Sequence, residues 1–278
     1  MDFQELFNHI KKTAIITHYL PAEKEIPDGK SKFGGQPYLP EDFAWPYYEG
    51  TDFNNVCQKR PLSFLAQINL EETAGYDKDH QLPHKGMLYF FYDLHTMKWG
   101  FDQNDKGCAK VIYIENPCDL HTAGFPGDLE EDYRLPEFAL SFSNQTDLPD
   151  YEEIAEYAAG LDWNSYDKEK ALYGYDKPDE RISKLLGYAD LIQGSMLLEC
   201  EQATNGIYCG AIPSVTEKQR EELLHSSKEW TLLFQMPTME TDDFELMFGD
   251  CGSIYFYIRK QDLQAGNFDN VWLILQCF

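Results

Sequence analysis

Apolar positions near the start of the chain follow helical spacing. The apolar residues that recur there every three to four positions are Phe3, Leu6, Phe7 and Ile10. This spacing predicts an amphipathic helix over residues 2–12, with Lys11 and Lys12 in its last turn. The β-branched run at residues 14–17 predicts a strand that ends before Pro21.

From residue 31 the pattern changes to short apolar runs separated by Gly, Pro and polar turns. The run 87–92 is apolar or aromatic on both faces, which is typical of a strand inside a sheet that is covered on each side. Regular alternation of strands and helices is missing, and the gaps between runs have hairpin length. The pattern therefore predicts mainly antiparallel pairing.

Four short motifs of the first half return in the same order in the second half. The matched segments are 31–35 with 183–187, 63–68 with 231–236, 86–91 with 252–257, and 111–114 with 271–274. The offsets run from 152 to 168 residues, so the order and spacing are nearly kept. We predict an internal duplication. The predicted fold class is α+β, with mainly antiparallel sheet modules packed around one shared core and flanked by short helices.

This pattern predicts one globular domain over residues 1–278. Its first pseudo-repeat covers about 30–116, its second about 182–278, and an acidic connector of about 117–181 joins them. Within the connector, residues 119–181 hold 17 Asp and Glu against 5 Lys and Arg. A short acidic helix is predicted from Asp150 through Ile154, Tyr157, Ala158 and Leu161. A second helix is predicted at 216–229, where Thr216 and Gln219 have capping-box spacing.

The charge of the chain narrows the classes of partner. The 48 Asp and Glu against 23 Lys and Arg give a formal net charge of −25. Such a surface repels phosphate backbones and anionic membranes, so neither nucleic acid nor membrane is predicted as a partner. A basic protein partner is electrostatically permitted, although a solvated acidic surface is the simpler interpretation.

The seven cysteines are scattered and form no Cys-x-x-Cys pair, which favours free thiols over a disulfide framework. The N-terminus carries acids where an export signal would need basic residues, and no apolar run reaches the length of a membrane helix. A cytoplasmic location is therefore predicted. No cofactor motif is found, and no cofactor is predicted.

Two sets of polar residues are candidates for chemistry. Gln67 and Gln235 are matched residues at the ends of apolar runs. Either each amide ties a strand end to neighbouring backbone, or the two amides meet at the junction between the repeats and bind a ligand there. The second set consists of Asp242, Asp243, Glu245 and Asp250, which could chelate a cation if they converge. Acidic runs of this kind are more often solvated turns.

Several motifs resemble those of the YwqG-like family, a bacterial group of unknown function. The resemblance lies in residues 31–40 (SKFGGQPYLP), 64–69 (FLAQIN), 86–92 (GMLYFFY), Leu233-Phe234-Gln235, and 248–252 (FGDCG) leading into Ile254-Tyr255-Phe256. The family's second copy more often has a paired Gly-Gly before Pro where this chain has residues 186–189 (LGYA). The resemblance implies an α+β fold with duplicated sheet modules. It brings no accepted catalytic residues.

Two functions remain open from the sequence. The first is a non-catalytic binding protein that engages a basic protein or a small ligand at the cleft between the repeats. Protection against a toxin is one version of that role. The alternative is a metal-assisted hydrolase that uses the carboxylates near Asp250.

Overall fold

The computed structural model describes residues 3–21, 26–154, 162–175, 181–210 and 215–278. These residues form a large, mostly antiparallel sheet with several short helices. The helices are α1 (Phe3–Ile10), α2 (Leu70–Thr73), α3 (Tyr151–Ile154), α4 (Trp163–Leu172), α5 (Leu197–Thr204), α6 (Glu217–Ser227) and α7 (Lys260–Gln264). The strands are β1 (Lys12–Pro21), β2 (Lys32–Phe33), β3 (Tyr38–Leu39), β4 (Tyr47–Thr51), β5 (Cys57–Pro61), β6 (Ser63–Asn69), β7 (Met87–Tyr92), β8 (Ala109–Ile114), β9 (His121–Thr122), β10 (Phe138–Asp147), β11 (Lys184–Leu185), β12 (Trp230–Pro237), β13 (Met239–Thr241), β14 (Phe244–Leu246), β15 (Ser253–Arg259) and β16 (Trp272–Gln276).

Ten of these strands form the main sheet, which is nearly barrel-shaped. Their order is β16-β15-β12-β11-β1-β10-β2-β6-β7-β8. The long pair β1–β10 lies at the centre, antiparallel over ten residues. We call β2, β6, β7 and β8 the first half of the sheet, and β11, β12, β15 and β16 the second half. The antiparallel pairing predicted from the sequence is confirmed.

The two halves share one buried core. Phe90 of β7 lies 4.7 Å from Phe234 of β12 and 5.3 Å from Phe256 of β15, measured between ring centroids. We call the sheet face that carries these three rings the inner face. Because side chains alternate along a strand, the residues next to them point to the opposite, outer face.

The halves have matching irregularities. The β6–β7 pair has a register shift between Phe64 and Ala66, and the β12–β15 pair has one between Leu232 and Phe234. The fourth sequence match needs correction, because Val111 pairs with Phe90 whereas Leu273 pairs with Phe256. The structural offset there is 162 residues, not 160. A shift of two residues keeps every side chain on its face, which is why the pattern alone could not detect it.

The first helix is shorter than predicted. It ends at Ile10, and Lys12 already pairs with Asp147 as the first residue of β1. The strand also runs further than predicted, to Pro21. Proline has no amide proton to donate to a neighbouring strand, and this loss matters least at the end of a strand. Pairing with β10 therefore sets both the end of α1 and the end of β1.

The predicted acidic connector contributes the central strand β10. Its sequence, FALSFSNQTD, alternates the large apolar residues Phe138, Leu140 and Phe142 with small residues, a strand pattern that the assignment of this region to a connector overlooked. Of the acidic helix predicted nearby, α3 covers Tyr151–Ile154. Its predicted members Tyr157, Ala158 and Leu161 lie outside the described residues.

The helix predicted at 216–229 is confirmed as α6. The Thr216 hydroxyl accepts the Gln219 N–H, and the Gln219 side chain accepts the Thr216 N–H. This reciprocal pair is a capping box. With 11 residues, α6 is the longest described helix, so no helix in the described part of the chain is long and apolar enough to cross a bilayer.

Candidate ligand-binding cavity

A cavity of about 1120 Å³ lies beside the outer face of the second half of the sheet. Its walls come from α1, residues 149–154, residues 187–195, α5 and α6, and its floor includes Trp230 of β12 and Tyr257 of β15. We call this space the Lys12 cavity, after the first residue of β1, which lines it. Its volume lies slightly above the range of roughly 300–1,000 Å³ that is typical of small-molecule sites.

Most of the wall is apolar, because each surrounding element turns one apolar stripe towards the sheet. The aliphatic side chains that line the cavity include Leu6, Ile10, Leu197, Leu198, Leu224 and Leu232. Leu197, Leu198 and Leu224 are only partly buried. These aliphatic groups gain free energy if a ligand covers them.

Lys12 supplies the main charge inside this cavity. Its Nζ lies 3.5 Å from Thr231 Oγ1 and 4.1 Å from the centroid of the Tyr188 ring. In the described residues, no carboxylate oxygen lies within 4 Å of this ammonium group. Burial lowers the pKa of Lys12 below its ordinary value, Glu153 raises it, and the neighbouring Lys260 lowers it.

Tyr257 lies on the floor of the same cavity, with its hydroxyl oxygen buried. The side chain is 1% exposed, and its hydroxyl has no hydrogen-bond partner in the part of the chain that the structure describes. Burial raises the pKa of Tyr257 well above its ordinary value, so the hydroxyl keeps its proton at neutral pH. Tyr255, two residues earlier on the same face, instead donates to the carbonyl of Asp190 at 2.6 Å.

The other charged groups lie around these two. Glu152 accepts a hydrogen bond from the backbone N–H of Ser195 at 3.2 Å, which fixes its carboxylate against the loop. Lys260 donates to the carbonyl of Lys228 at 2.6 Å, so two further lysines line the cavity. With Glu5 and Glu153, the lining holds three glutamates and three lysines, so its formal charge is balanced.

The structure does not bring the predicted glutamines together. Gln67 lies on β6 and Gln235 on β12, with β2, β10, β1 and β11 between them in the sheet. Gln67 is directly opposite Tyr89, next to the inner-face residue Phe90, so it points to the outer face. Gln235 is opposite Tyr255 and points outwards in the same way. Neither amide reaches a junction between the halves.

Each glutamine instead ties its strand to a neighbouring loop. Both side chains are fully buried. Each amide oxygen accepts a backbone N–H, and each amide nitrogen donates to a carbonyl, over 2.7–3.0 Å. The backbone partners are Tyr38 N and Lys30 O for Gln67, and Asp190 N and Ile182 O for Gln235. The geometry matches the strand-tying interpretation, and a ligand-binding role stays a prediction.

The four candidate metal ligands are all exposed. Asp242 and Asp243 form the turn of the β13–β14 hairpin, Glu245 lies on β14, and Asp250 lies in the turn before β15. Among the described residues, no group of three or more His, Cys, Asp or Glu side chains is placed to hold a metal ion. The hydrolase hypothesis stays a prediction.

Sequence reasoning missed both Lys12 and Tyr257. One usable signal was present in the match of residues 86–91 with 252–257. In this match Tyr257 has the same position in its motif as Phe91. The second of these two matched motifs therefore has a hydroxyl at a position where the first has none. Lys12 gave no such signal, since it was assigned to the exposed last turn of a helix.

A family model described as a domain of unknown function (DUF1963) matches residues 31–277. The chain belongs to the DUF1963 family. The match spans both halves of the sheet and includes Tyr257, whereas α1 and Lys12 precede the matched residues. A comparison with curated proteins finds no match. The name of the DUF1963 family states no activity, and the finer resemblance to the YwqG-like family stays a prediction.

Proposed function

We propose that this DUF1963 protein binds a small amphipathic carboxylate in the Lys12 cavity. Such a ligand has an apolar body and one carboxylate head. The observation that carries the proposal is the ammonium group of Lys12, which lies in an apolar cavity with no carboxylate within 4 Å among the described residues. This is a binding role and asks for no catalytic residue.

The apolar wall accounts for the body of the ligand. Partly buried leucines from α5 and α6 face the cavity, and Trp230 and Leu232 lie at its floor. Removing apolar surface from water contributes roughly 25 cal/mol per Å². A chain of about ten carbons would cover much of this wall, and its binding would not depend on any single residue.

Lys12 and Tyr257 account for the head. Lys12 is partly buried, so its ammonium group gains from an opposite charge inside the cavity, and a buried hydroxyl is costly unless it meets an acceptor. A carboxylate supplies the charge and the acceptor at once. Lys228 and Lys260 line the cavity together with Glu5, Glu152 and Glu153, so the preference for an anionic head rests on Lys12.

We also infer that the two halves arose by duplication and then diverged. The mirrored strand order, the matched bulges and the matched glutamine contacts support this. In the first half, Phe43 packs on Tyr89 and Trp45 packs on Phe91, which fills the outer face. In the second half the corresponding face borders the Lys12 cavity. One copy would then serve as scaffold and the other as binding site.

The basic protein partner and the toxin-immunity role stay predictions from net charge. No described contact favours either of them. We therefore give them no place in the binding proposal.

Calorimetric titration with decanoate tests the proposal. We expect saturable binding to the wild-type protein, and we expect 1-decanol, which has the same body and a neutral head, to bind at least about tenfold more weakly, or by about 1.4 kcal/mol. Leu224→Trp places a larger side chain in the cavity and should weaken decanoate binding by a similar factor.

Leu223→Trp is the matched control. Leu223 is the adjacent residue of α6 and is also partly buried, but it does not line the cavity. This variant should keep wild-type affinity for decanoate. Absence of saturable decanoate binding, or equal losses in the two leucine variants, would show that the cavity is not the site.

A further inference from the structure

A second, much smaller pocket lies in the first half of the molecule. It has a volume of about 50 Å³ and lies between β5, the turn after β7 and the segment around Leu129. Arg60 of β5 lines it, and the side chain of Arg60 is only 8% exposed. A guanidinium group is always charged at physiological pH, so its burial needs compensation.

The compensation that Arg60 receives is incomplete. Its Nη2 lies 3.4 Å from the carbonyl oxygen of Gly50 and 3.5 Å from Asp93 Oδ2, which are long hydrogen bonds. Its Nε and Nη1 are buried and have no partner among the described residues. In contrast, Arg134 donates from both Nε and Nη2 to the carbonyl of Leu129, at 3.0 and 2.6 Å.

A histidine that lines the same pocket also has a buried nitrogen without a hydrogen-bond partner. His95 also lines the pocket, and its Nδ1 is buried without a partner in the described part of the chain. Its ring packs edge-on to Tyr133, with centroids 5.1 Å apart. The carboxylate of Asp93 already accepts the Thr96 hydroxyl at 2.5 Å. Two residues thus offer unused nitrogen atoms to one pocket.

We infer that this pocket is a binding site for a small oxyanion, a carboxylate or phosphate group. The volume admits about three to five water-sized positions at roughly 10–15 Å³ each, enough for an anion of two to four oxygens. Guanidinium groups pair with both anions through charge-assisted hydrogen bonds. Asp128 and Glu130, which also line the pocket, are exposed and can turn their charge to solvent.

This site is separate from the Lys12 cavity and shares no lining residue with it. Loss of one would leave the other intact. The net charge of −25 repels anions in general, so saturable anion binding would have to come from local donors.

Thermal unfolding in matched salts tests the inference. The wild-type protein is titrated with sodium phosphate, sodium sulfate or sodium acetate, each against sodium chloride at equal ionic strength. We expect a saturable rise in the unfolding temperature with at least one oxyanion over chloride. Acetate alone would identify a carboxylate site, and phosphate or sulfate a site for a tetrahedral anion.

Variants locate the site. Arg60→Lys keeps the charge but removes the Nε and Nη1 donors, and it should weaken the oxyanion effect at least about tenfold. Lys106→Met, at an exposed lysine that does not line the pocket, should keep the effect. His95→Phe, which retains the ring packing on Tyr133, serves as the second variant if Arg60→Lys does not fold, and it should also weaken the effect.

Two results would overturn the inference. If every oxyanion matches chloride, the pocket holds only water. If an oxyanion stabilises the protein but His95→Phe and Arg60→Lys respond like wild type, the anion binds elsewhere.

Discussion

Glu199 and Glu201 lie close together on α5 and have opposite surroundings. Glu201 accepts hydrogen bonds from Trp230 Nε1 at 2.9 Å and Arg259 Nη2 at 2.7 Å. Glu199 Oε2 is buried and has no partner among the described residues. Burial raises the pKa of Glu199 from 4.5 to about 7. The folded protein therefore holds this proton between pH 4.5 and 7, where the unfolded chain releases it.

This difference predicts a pH-dependent effect of Glu199→Gln. At low pH the protonated Glu199 side chain is neutral and its burial costs little. As the pH rises from 4.5 through 7, the wild-type protein loses free energy of unfolding, because the folded state must hold the proton or bury a charge. The variant should be more stable than wild type by up to about 3 kcal/mol at pH 8, and by less than about 1 kcal/mol at pH 5. Urea unfolding at both pH values measures this.

Glu201→Gln is the matched control. It weakens the contacts with Arg259 and Trp230, so it should lower the free energy of unfolding by about 1–3 kcal/mol. An equal effect of Glu199→Gln at pH 5 and pH 8 would show that burial of Glu199 does not shift its protonation.

At the scale of elements, two short strands are held by buried lysines. Lys184 of β11 donates to Asp147 at 2.7 Å and to Asp190 at 3.0 Å, and all three side chains are almost fully buried. Lys32 of β2 pairs with Glu137 at 2.6 Å, but Glu137 is 31% exposed. Strands of two residues have few backbone hydrogen bonds, so these ion pairs help to fix β11 and β2 in the sheet.

The two lysines should therefore differ in their contribution to stability. Lys184→Met leaves two buried carboxylates without their cation, and it should lower the free energy of unfolding by about 3–5 kcal/mol. Lys32→Met leaves Glu137, which water can reach, so its cost should be smaller. Urea unfolding of both variants at pH 7 measures the difference. Equal losses would contradict the interpretation that exposure of the carboxylate decides the cost.

The sequence predicted those elements whose signals are local. The capping box at Thr216 and Gln219 marked the start of α6, and the helical spacing of Phe3 to Ile10 marked α1. The strand β10 was missed although Phe138, Leu140 and Phe142 alternate along it, because the acidic charge of the surrounding region led to its assignment as a connector. The end of α1 was misplaced because Lys12 pairs with Asp147 in the β1–β10 ladder, a contact that the helical spacing does not reveal.

The Lys12 cavity could not be predicted because its walls are distant in sequence. Lys12, Tyr188, Leu224 and Tyr257 lie on four separate elements that meet only in the fold. Gln67 and Gln235 were conspicuous for the opposite reason, as matched polar residues in apolar runs. Their amides are used by the fold itself, so a repeated polar residue marked a repeated structural contact.

At the scale of the molecule, the two halves of the sheet have corresponding strand orders. In each half the last strand in the chain lies at the sheet edge and the first lies beside the central β1–β10 pair. The two halves nevertheless differ in their pockets. The first half carries the Arg60 pocket, and the second half carries the Lys12 cavity. The acidic surface opposes anions at long range, but this field is screened beyond roughly 10 Å at 0.1 M salt. Lysines at the cavity wall act inside that distance.

The central claim is that the Tyr257 hydroxyl, which has no partner among the described residues, donates a hydrogen bond to a ligand in the Lys12 cavity. Tyr257→Phe tests it most directly, with unfolding by urea and titration with decanoate on the same samples. An unpaired buried hydroxyl costs stability, so its removal should raise the free energy of unfolding by about 1 kcal/mol. The same change should weaken decanoate binding about tenfold, or by about 1.4 kcal/mol.

Tyr255→Phe is the control on the same strand and face. It removes the hydrogen bond to Asp190, so it should lower stability and leave decanoate affinity unchanged. The account predicts that the two tyrosine variants move in opposite directions on stability and that only Tyr257→Phe loses affinity. A Tyr257→Phe protein that is less stable than wild type and binds decanoate as well would contradict it.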